Sequence, residues 1–227
     1  MFDNPQVQNE IEAYLLGLLY ADGSILHKNI NPNIYNTIRI GLTSRDENNL
    51  FRFNKYLNWN TGKSKSYIGN KSYDITYIAN YSISFTKKMI DLGIVPRKTY
   101  SNDDFVFTNV PDNLKRHFIR GYFDGNGCVM INKHNQMIFE LCSNNVKFLN
   151  TLLKYLKIFI NTKSNVTLGD GVYRIRIGGN HLCYQIFHLM YDCHNLDLHL
   201  DRKYEKFKKI DDIINYPKQN YKGENLK

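Results

Sequence analysis

Apolar and polar positions follow two rhythms along this chain, and the same succession of rhythms occurs twice. The segment Thr37-Ile38-Arg39-Ile40-Gly41-Leu42-Thr43 alternates with period two, which puts Ile38, Ile40 and Leu42 on one strand face and Arg39 on the other. Leu50, Phe51, Phe53, Tyr56 and Leu57 then recur at the spacing of an amphipathic helix. A strand pair is predicted around 64–78 and a helix over 83–92. The second half predicts a strand over 136–142, a helix over 146–158, strands over 165–177 and a helix over 181–191, with Asp170-Gly171 as a hairpin turn. Pro96 and Pro111 punctuate a connection over 95–112, and the polar stretch after Tyr216 reads as a disordered tail. The chain divides accordingly into a unit over 1–100, a linker over 101–112, a unit over 113–215 and a tail over 216–227.

Each unit carries one copy of a helix-ending phrase, Leu15-Leu16-Gly17-Leu18-Leu19-Tyr20-Ala21-Asp22-Gly23 and Ile119-Arg120-Gly121-Tyr122-Phe123-Asp124-Gly125-Asn126-Gly127. The copies align without a gap, 104 residues apart. Small residues four apart, Ala13, Gly17 and Ala21 in one and Gly121 and Gly125 in the other, share a helical face and let two helices approach at their backbones. Each phrase closes on a short polar residue and a glycine, a helix stop. Three landmarks recur at nearly the same offset: Ser44-Arg45-Asp46 with Ser143-Asn144-Asn145, Asn80 with Asn180, and Lys98 with Lys203.

The paired phrases resemble the LAGLIDADG homing endonucleases in their single-chain, two-motif form. The resemblance implies an α+β fold of two pseudo-twofold-related αββαββα repeats, whose antiparallel sheets form a DNA-binding saddle. Each half matches that unit once the first hairpin, read above as one strand, is counted as two. The resemblance also implies that the acid at the eighth motif position holds a divalent metal, Mg²⁺ or another, against double-stranded DNA. That position is Asp22 in the first copy and Asn126 in the second. Asp124 falls opposite Tyr20, and sliding it into the slot would break the match of both glycine pairs. The implied metal site comprises Asp22, Asn126 and the preceding Ala21 and Gly125, and the lysine after each repeat's last helix, Lys98 or Lys203, is implied as an active-site residue.

Composition changes the picture in one respect. Lys and Arg total 30 against 21 Asp and Glu, a net charge of +9, so the expected partner is an anion. No apolar run is long enough to span a bilayer and Met1-Phe2-Asp3-Asn4-Pro5 has no signal-peptide pattern, so the expectation is a soluble, intracellular protein, and the single-chain, two-motif resemblance implies a monomer. Cys128, Cys142, Cys183 and Cys193 lack paired metal-ligand spacing and read as buried reduced thiols, and His117, His181, His188, His194 and His199 show no zinc spacing.

DNA contact is expected from polar strand faces, because a two-stranded ribbon fits the major groove. The candidates are Lys28, Asn36, Arg39, Arg45, Lys63, Lys65, Tyr73 and Thr76 in the first half, and Lys133, Gln136, Lys163, Arg174 and Arg176 in the second. Arg174 and Arg176 share one strand face, with Tyr173, Ile175 and Ile177 on the other. The expected function is site-specific, metal-dependent cleavage of duplex DNA. Asn126 leaves open a nicking or inactive enzyme, an active one that tolerates the change, or a deliberate substitution. The alternative is a non-catalytic binder of the same fold, either a maturase acting on intron RNA or a DNA-binding regulator.

Overall fold

The computed structural model describes residues 1–2, 4, 6–27, 35–192 and 198–215; Lys28, Cys193, His194 and the tail over 216–227 lie outside the described residues. Helix α1 (Glu10–Asp22) starts at Asn9, whose side chain accepts from the Glu12 amide at 3.0 Å, satisfying one donor that a helix start leaves open. Every residue from Glu12 to Tyr20 is buried, so α1 is enclosed on all sides. Strands β1 (Gly23–His27) and β2 (Tyr35–Thr43) follow, then α2 (Glu47–Leu57), β3 (Asn60–Ile68), β4 (Lys71–Asn80) and α3 (Ile83–Asp91). A four-residue helix, α4 (Phe105–Thr108), lies in the connection. The second unit repeats the order as α5 (Lys115–Asn126), β5 (Gly127–Ile131), β6 (Met137–Ser143), α6 (Val146–Phe159), β7 (Val166–Gly169), β8 (Val172–Gly178) and α7 (Asn180–Tyr191), and α8 (Asp201–Asn215) follows it.

The strand read over 37–43 is the second arm of a hairpin whose first arm, β1, opens on the motif glycine Gly23. At five residues each, β1 and β5 are too short for alternation to reveal. Helix α8 also escaped the sequence reading, because its mostly charged residues dilute the buried Phe207 and Ile210. Asp170 and Gly171 both have positive φ, 50° and 75°, which a tight turn between antiparallel strands uses.

Two antiparallel four-stranded sheets result, ordered β1-β2-β4-β3 and β5-β6-β8-β7. Ile40 pairs with Gly23 and Ile78, as Leu141 pairs with Gly127 and Ile175, so the two sheets share one register. That register sets Asn80 opposite Ile177 in the repeat and corrects the parallel with Asn180. Asn80 ends β4, whereas Asn180 opens α7 and its side chain accepts from the Met137 amide at 2.8 Å. Ser44–Asp46 and Asn145 both lead into a helix, Asn145 as the cap accepting from Phe148 N.

One apolar core runs through both units, with α1 and α5 at its centre. Tyr20, Phe118, Tyr122 and Phe148 interlock there across the pseudo-dyad. Phe118 and Phe148 are fully buried, each stabilising the fold by about 1.5–3 kcal/mol relative to exposure. No described helix is long and apolar enough to cross a membrane.

Candidate active site and nucleic-acid interface

The small residues of the two motifs bring α1 and α5 together at their backbones. A β-carbon on Gly17 would overlap the Phe118 carbonyl oxygen, and one on Gly121 would overlap that of Tyr14. Ala13 is fully buried on α1. At the helix ends, Gly125 lies against Ala21, and a β-carbon on it would come within 3.1 Å of the Asp22 carboxylate. Ala21, Asp22, Gly125 and Asn126 therefore gather at one spot where the two helices finish side by side.

Both lysines reach this spot, in matching ways. Lys98 Nζ donates to the carbonyl of Gly23, which closes the first motif. Lys203 Nζ donates to the carbonyl of Gly127, which closes the second, at 2.7 Å, and to those of Phe123 at 2.8 Å and Gly125 at 3.2 Å. Burial lowers the Lys98 ammonium to about 8 against the attraction of Asp22, and lowers Lys203 against that of Asp124. Burial likewise raises the Asp22 carboxyl, opposed first by Lys203 and then by Lys98. The lone carboxylate of the pair of motif ends thus sits in a desolvated, cationic surrounding.

The surroundings of Asp22 and Asn126 differ. Near Asp22 lies Asp46, buried and held by Arg202 Nε at 2.9 and 3.0 Å. The Asn126 amide donates to the Tyr122 hydroxyl at 3.3 Å, and that hydroxyl donates to the Cys142 carbonyl at 2.7 Å. A cavity of about 260 Å³ opens there, lined among others by Tyr20, Lys98, Tyr122, Asn126 and Ser143. Asp124 points inward, 1% exposed, and accepts from Tyr14 and from the Leu200 amide. Asp46, Arg202, Tyr20 and Tyr122 were not read as site residues from the sequence; the tyrosines carried a signal there as members of the motifs, and Asp46 as part of the repeated Ser44-Arg45-Asp46 landmark.

Among the described residues no three His, Cys, Asp or Glu side chains cluster as a metal site. The oxygens at the motif ends are the Asp22 carboxylate, the Ala21 carbonyl, the Asn126 amide and the Gly125 carbonyl, which already accepts from Lys203 at 3.2 Å. An all-oxygen set of this kind suits a hard divalent cation, which takes one or two carboxylates and completes its shell with water or phosphate. It carries one formal negative charge where two acids would carry two, so it fits one ion on Asp22 better than a symmetric pair.

Strand register sorts the expected DNA contacts. On the first sheet the face away from the core carries Ser24, Arg39, Gly41, Tyr73, Ile75 and Tyr77. Arg39 lies 4.0 Å over the Tyr77 ring and donates to Ser64 Oγ at 2.8 Å. Thr76 is on the opposite face, 1% exposed and donating to Glu47 on α2, which corrects its expected contact with DNA. The physical reason is that β4 alternates about Ile78, a core residue, and Thr76 falls in phase with it. Lys63, paired with Thr76, and Lys65, paired with Asp74, share that side, and Lys63 reaches Glu47 at 3.5 Å. Asn36 is half-buried and accepts from the Thr37 hydroxyl, while Arg45 is exposed beside α2.

On the second sheet the open face carries Cys128, Ile138, Glu140, Cys142, Arg174 and Arg176. Arg174 pairs with Asp170 at 3.0 Å and Arg176 with Glu140 at 2.5 Å. Lys133 and Gln136 are exposed in the β5–β6 turn and Lys163 in the loop before β7. Cys128 and Cys142 are half-exposed on this face, so of the described cysteines only Cys183 meets the expectation of a buried thiol. Glu140 was missed, although the alternation of β6 places it in phase with Ile138 and Cys142.

Residues 113–186 match the LAGLIDADG-like domain family. Among solved structures, the chain is similar to full-length DUF199/WhiA from Thermatoga maritima, at 20% identity and a TM-score of 0.55, over 92% of this chain and 62% of that one. It therefore spans less than two thirds of that protein's length. It is also similar to the LAGLIDADG homing endonuclease I-GzeII in complex with its DNA target, at 14% identity and a TM-score of 0.55 over 91% of this chain and 89% of that one. A third similar structure is the homing endonuclease I-WcaI bound to its DNA recognition sequence, at 10% identity and a TM-score of 0.60 over 88% and 87%. No curated protein sequence matches. The architecture is the LAGLIDADG fold, and the second half of the chain carries a LAGLIDADG-like domain.

Proposed function

We propose that this chain, with its LAGLIDADG fold and its LAGLIDADG-like domain over 113–186, is a monomeric, site-specific endonuclease of double-stranded DNA. The observation that carries the reading is the gathering of Asp22, Lys98 and Lys203 where two backbone-packed helices end beside two open sheet faces. Duplex strands are antiparallel and related by a local dyad, so a protein pseudo-dyad can present one motif end to each strand. A divalent cation, Mg²⁺ in this reading, would be held by Asp22 with the Ala21 or Gly125 carbonyl, and supplies charge neutralisation, hydroxide formation and leaving-group stabilisation. Lys98 and Lys203 fix the carbonyls that close the motifs and keep positive charge beside the scissile phosphates. The net charge of +9 draws the polyanion in.

Asn126 offers no charge, so the strand it addresses is cut slowly and the expected product is a nick. The same residue favours the second reading, a non-catalytic binder of DNA or of intron RNA. The deciding experiment uses duplex sites selected from a randomised library and cloned into supercoiled plasmid. Cleavage that requires Mg²⁺ and is abolished by Asp22→Asn, with duplex affinity retained, supports the enzyme. Full activity in Asp22→Asn overturns the assignment of Asp22, and binding without any cleavage by the parent favours the binder.

A further inference from the structure

We propose that Glu140 and Arg176 act as one unit that reads the major-groove edge of a single G·C base pair; the proposal rests on the reading that the open sheet faces meet DNA. The two residues are register partners on β6 and β8, with Cys128 completing the row on β5. Arg176 Nε donates to Glu140 Oε2 at 2.7 Å, and Nη2 forms an ion pair with the same oxygen at 2.5 Å. Among the described residues the other carboxylate oxygen, Oε1, meets only the weak Cys128 thiol donor, at 4.0 Å. The Glu140 side chain is 13% exposed and that of Arg176 52%, so the acid forms the floor of the face and the outer edge of the guanidinium fork stands free.

An acid on a surface that meets a polyanion repels it unless it does something there. Here it orients the arginine and leaves an acceptor beside two donors. A G·C pair shows the major groove two acceptors, guanine N7 and O6, and then one donor, cytosine N4. An A·T pair shows an acceptor, a donor and an acceptor, so it opposes both the second and the third positions of the protein's donor-donor-acceptor row. Hydrogen bonds to charged groups are the stronger kind, and a mismatch leaves a desolvated charge unpaired.

Among its described residues the first sheet does not repeat this pairing. The same register puts Arg39 where the second sheet has Glu140 and Ala79 where it has Arg176. The requirement for the G·C pair therefore belongs to one half-site only.

The test is selection from a randomised duplex library without divalent metal, followed by affinities for the selected duplex, its single-pair variants and a scrambled duplex. The parent should prefer G·C over A·T by about tenfold at one pair of one half-site. Glu140→Gln and Arg176→Ala should each erase that preference and leave affinity for the scrambled duplex within about twofold for the glutamate variant, and the double variant should lose no more than either alone. Thermal unfolding of Glu140→Gln, an isosteric change, separates loss of reading from loss of fold. If Glu140→Gln instead tightens binding to all duplexes equally, the acid is only a repulsive charge, and this proposal fails while the DNA-facing sheet stands. If neither variant alters affinity for any duplex, both the proposal and the assignment of this face to DNA fail.

Discussion

The Tyr14 hydroxyl on α1 donates to the Asp124 carboxylate on α5 at 2.7 Å, a bond that joins the two motif helices inside the core. The same oxygen accepts from the Leu200 amide at 2.9 Å, so it also ties down the segment that leads to Lys203. Among the described residues this bond is not repeated across the pseudo-dyad, where the matching positions hold Phe118 and Tyr20. Burial pushes the Asp124 carboxyl up to about 6, despite the opposing pull of Lys203, Tyr14 and Leu200.

This bond has a pH signature. An acid whose folded pKa is raised binds its proton more tightly in the native state, so its contribution to stability is complete below its unfolded value of about 4 and is lost as pH rises through about 6. Relative to Asp124→Asn, which does not titrate, the parent should lose about 3 kcal/mol of stability over that window. Denaturant unfolding of both proteins from pH 4 to pH 7 measures the difference. A difference that stays flat or grows with pH would show that Asp124 is ionised throughout.

Gly121 lies against the Tyr14 carbonyl, and backbone cannot yield as a side chain can. Gly121→Ala should force α1 and α5 apart, lower stability by about 3 kcal/mol and abolish cleavage by separating the motif ends. Calorimetry and a plasmid assay check both effects. An unchanged melting temperature would refute the close approach.

Restoring an acid at the second motif end should change the product more than the affinity. Asn126→Asp is expected to convert nicking of a supercoiled plasmid carrying a selected site into double-strand cleavage, with linear product replacing nicked circles on a gel. Rapid linearisation by the parent, unimproved by the substitution, would mean that position 126 is not the catalytic slot.

Arg174, held by Asp170 at 3.0 Å near a strand turn, stands apart from the Glu140 pairing. If it contacts phosphate, Arg174→Ala should weaken binding to target and scrambled duplexes alike and reduce the slope of log affinity against log salt by about one charge. Equal salt slopes for parent and variant would place Arg174 off the DNA.

The period-two and helical rhythms of the chain, with two nine-residue phrases 104 residues apart, were enough to show two similar α+β units and the meeting of Gly17 with Gly121. Those features are local or repeated, and local spacing is what a sequence displays. Lys98 and Lys203 were legible for the same reason, as a repeated landmark. What each strand face meets was not. Thr76 has the composition of a groove-facing residue, yet the phase of β4 about Ile78 turns it toward Glu47. Glu140 reads as an ordinary acid until register sets it beside Arg176, 36 residues away. Asp46 and Arg202, separated by 156 residues, become partners only because α8 returns across the first unit. Pairings of this kind depend on strand register and on the return path of the chain, which the packing of the whole core decides and no single segment encodes.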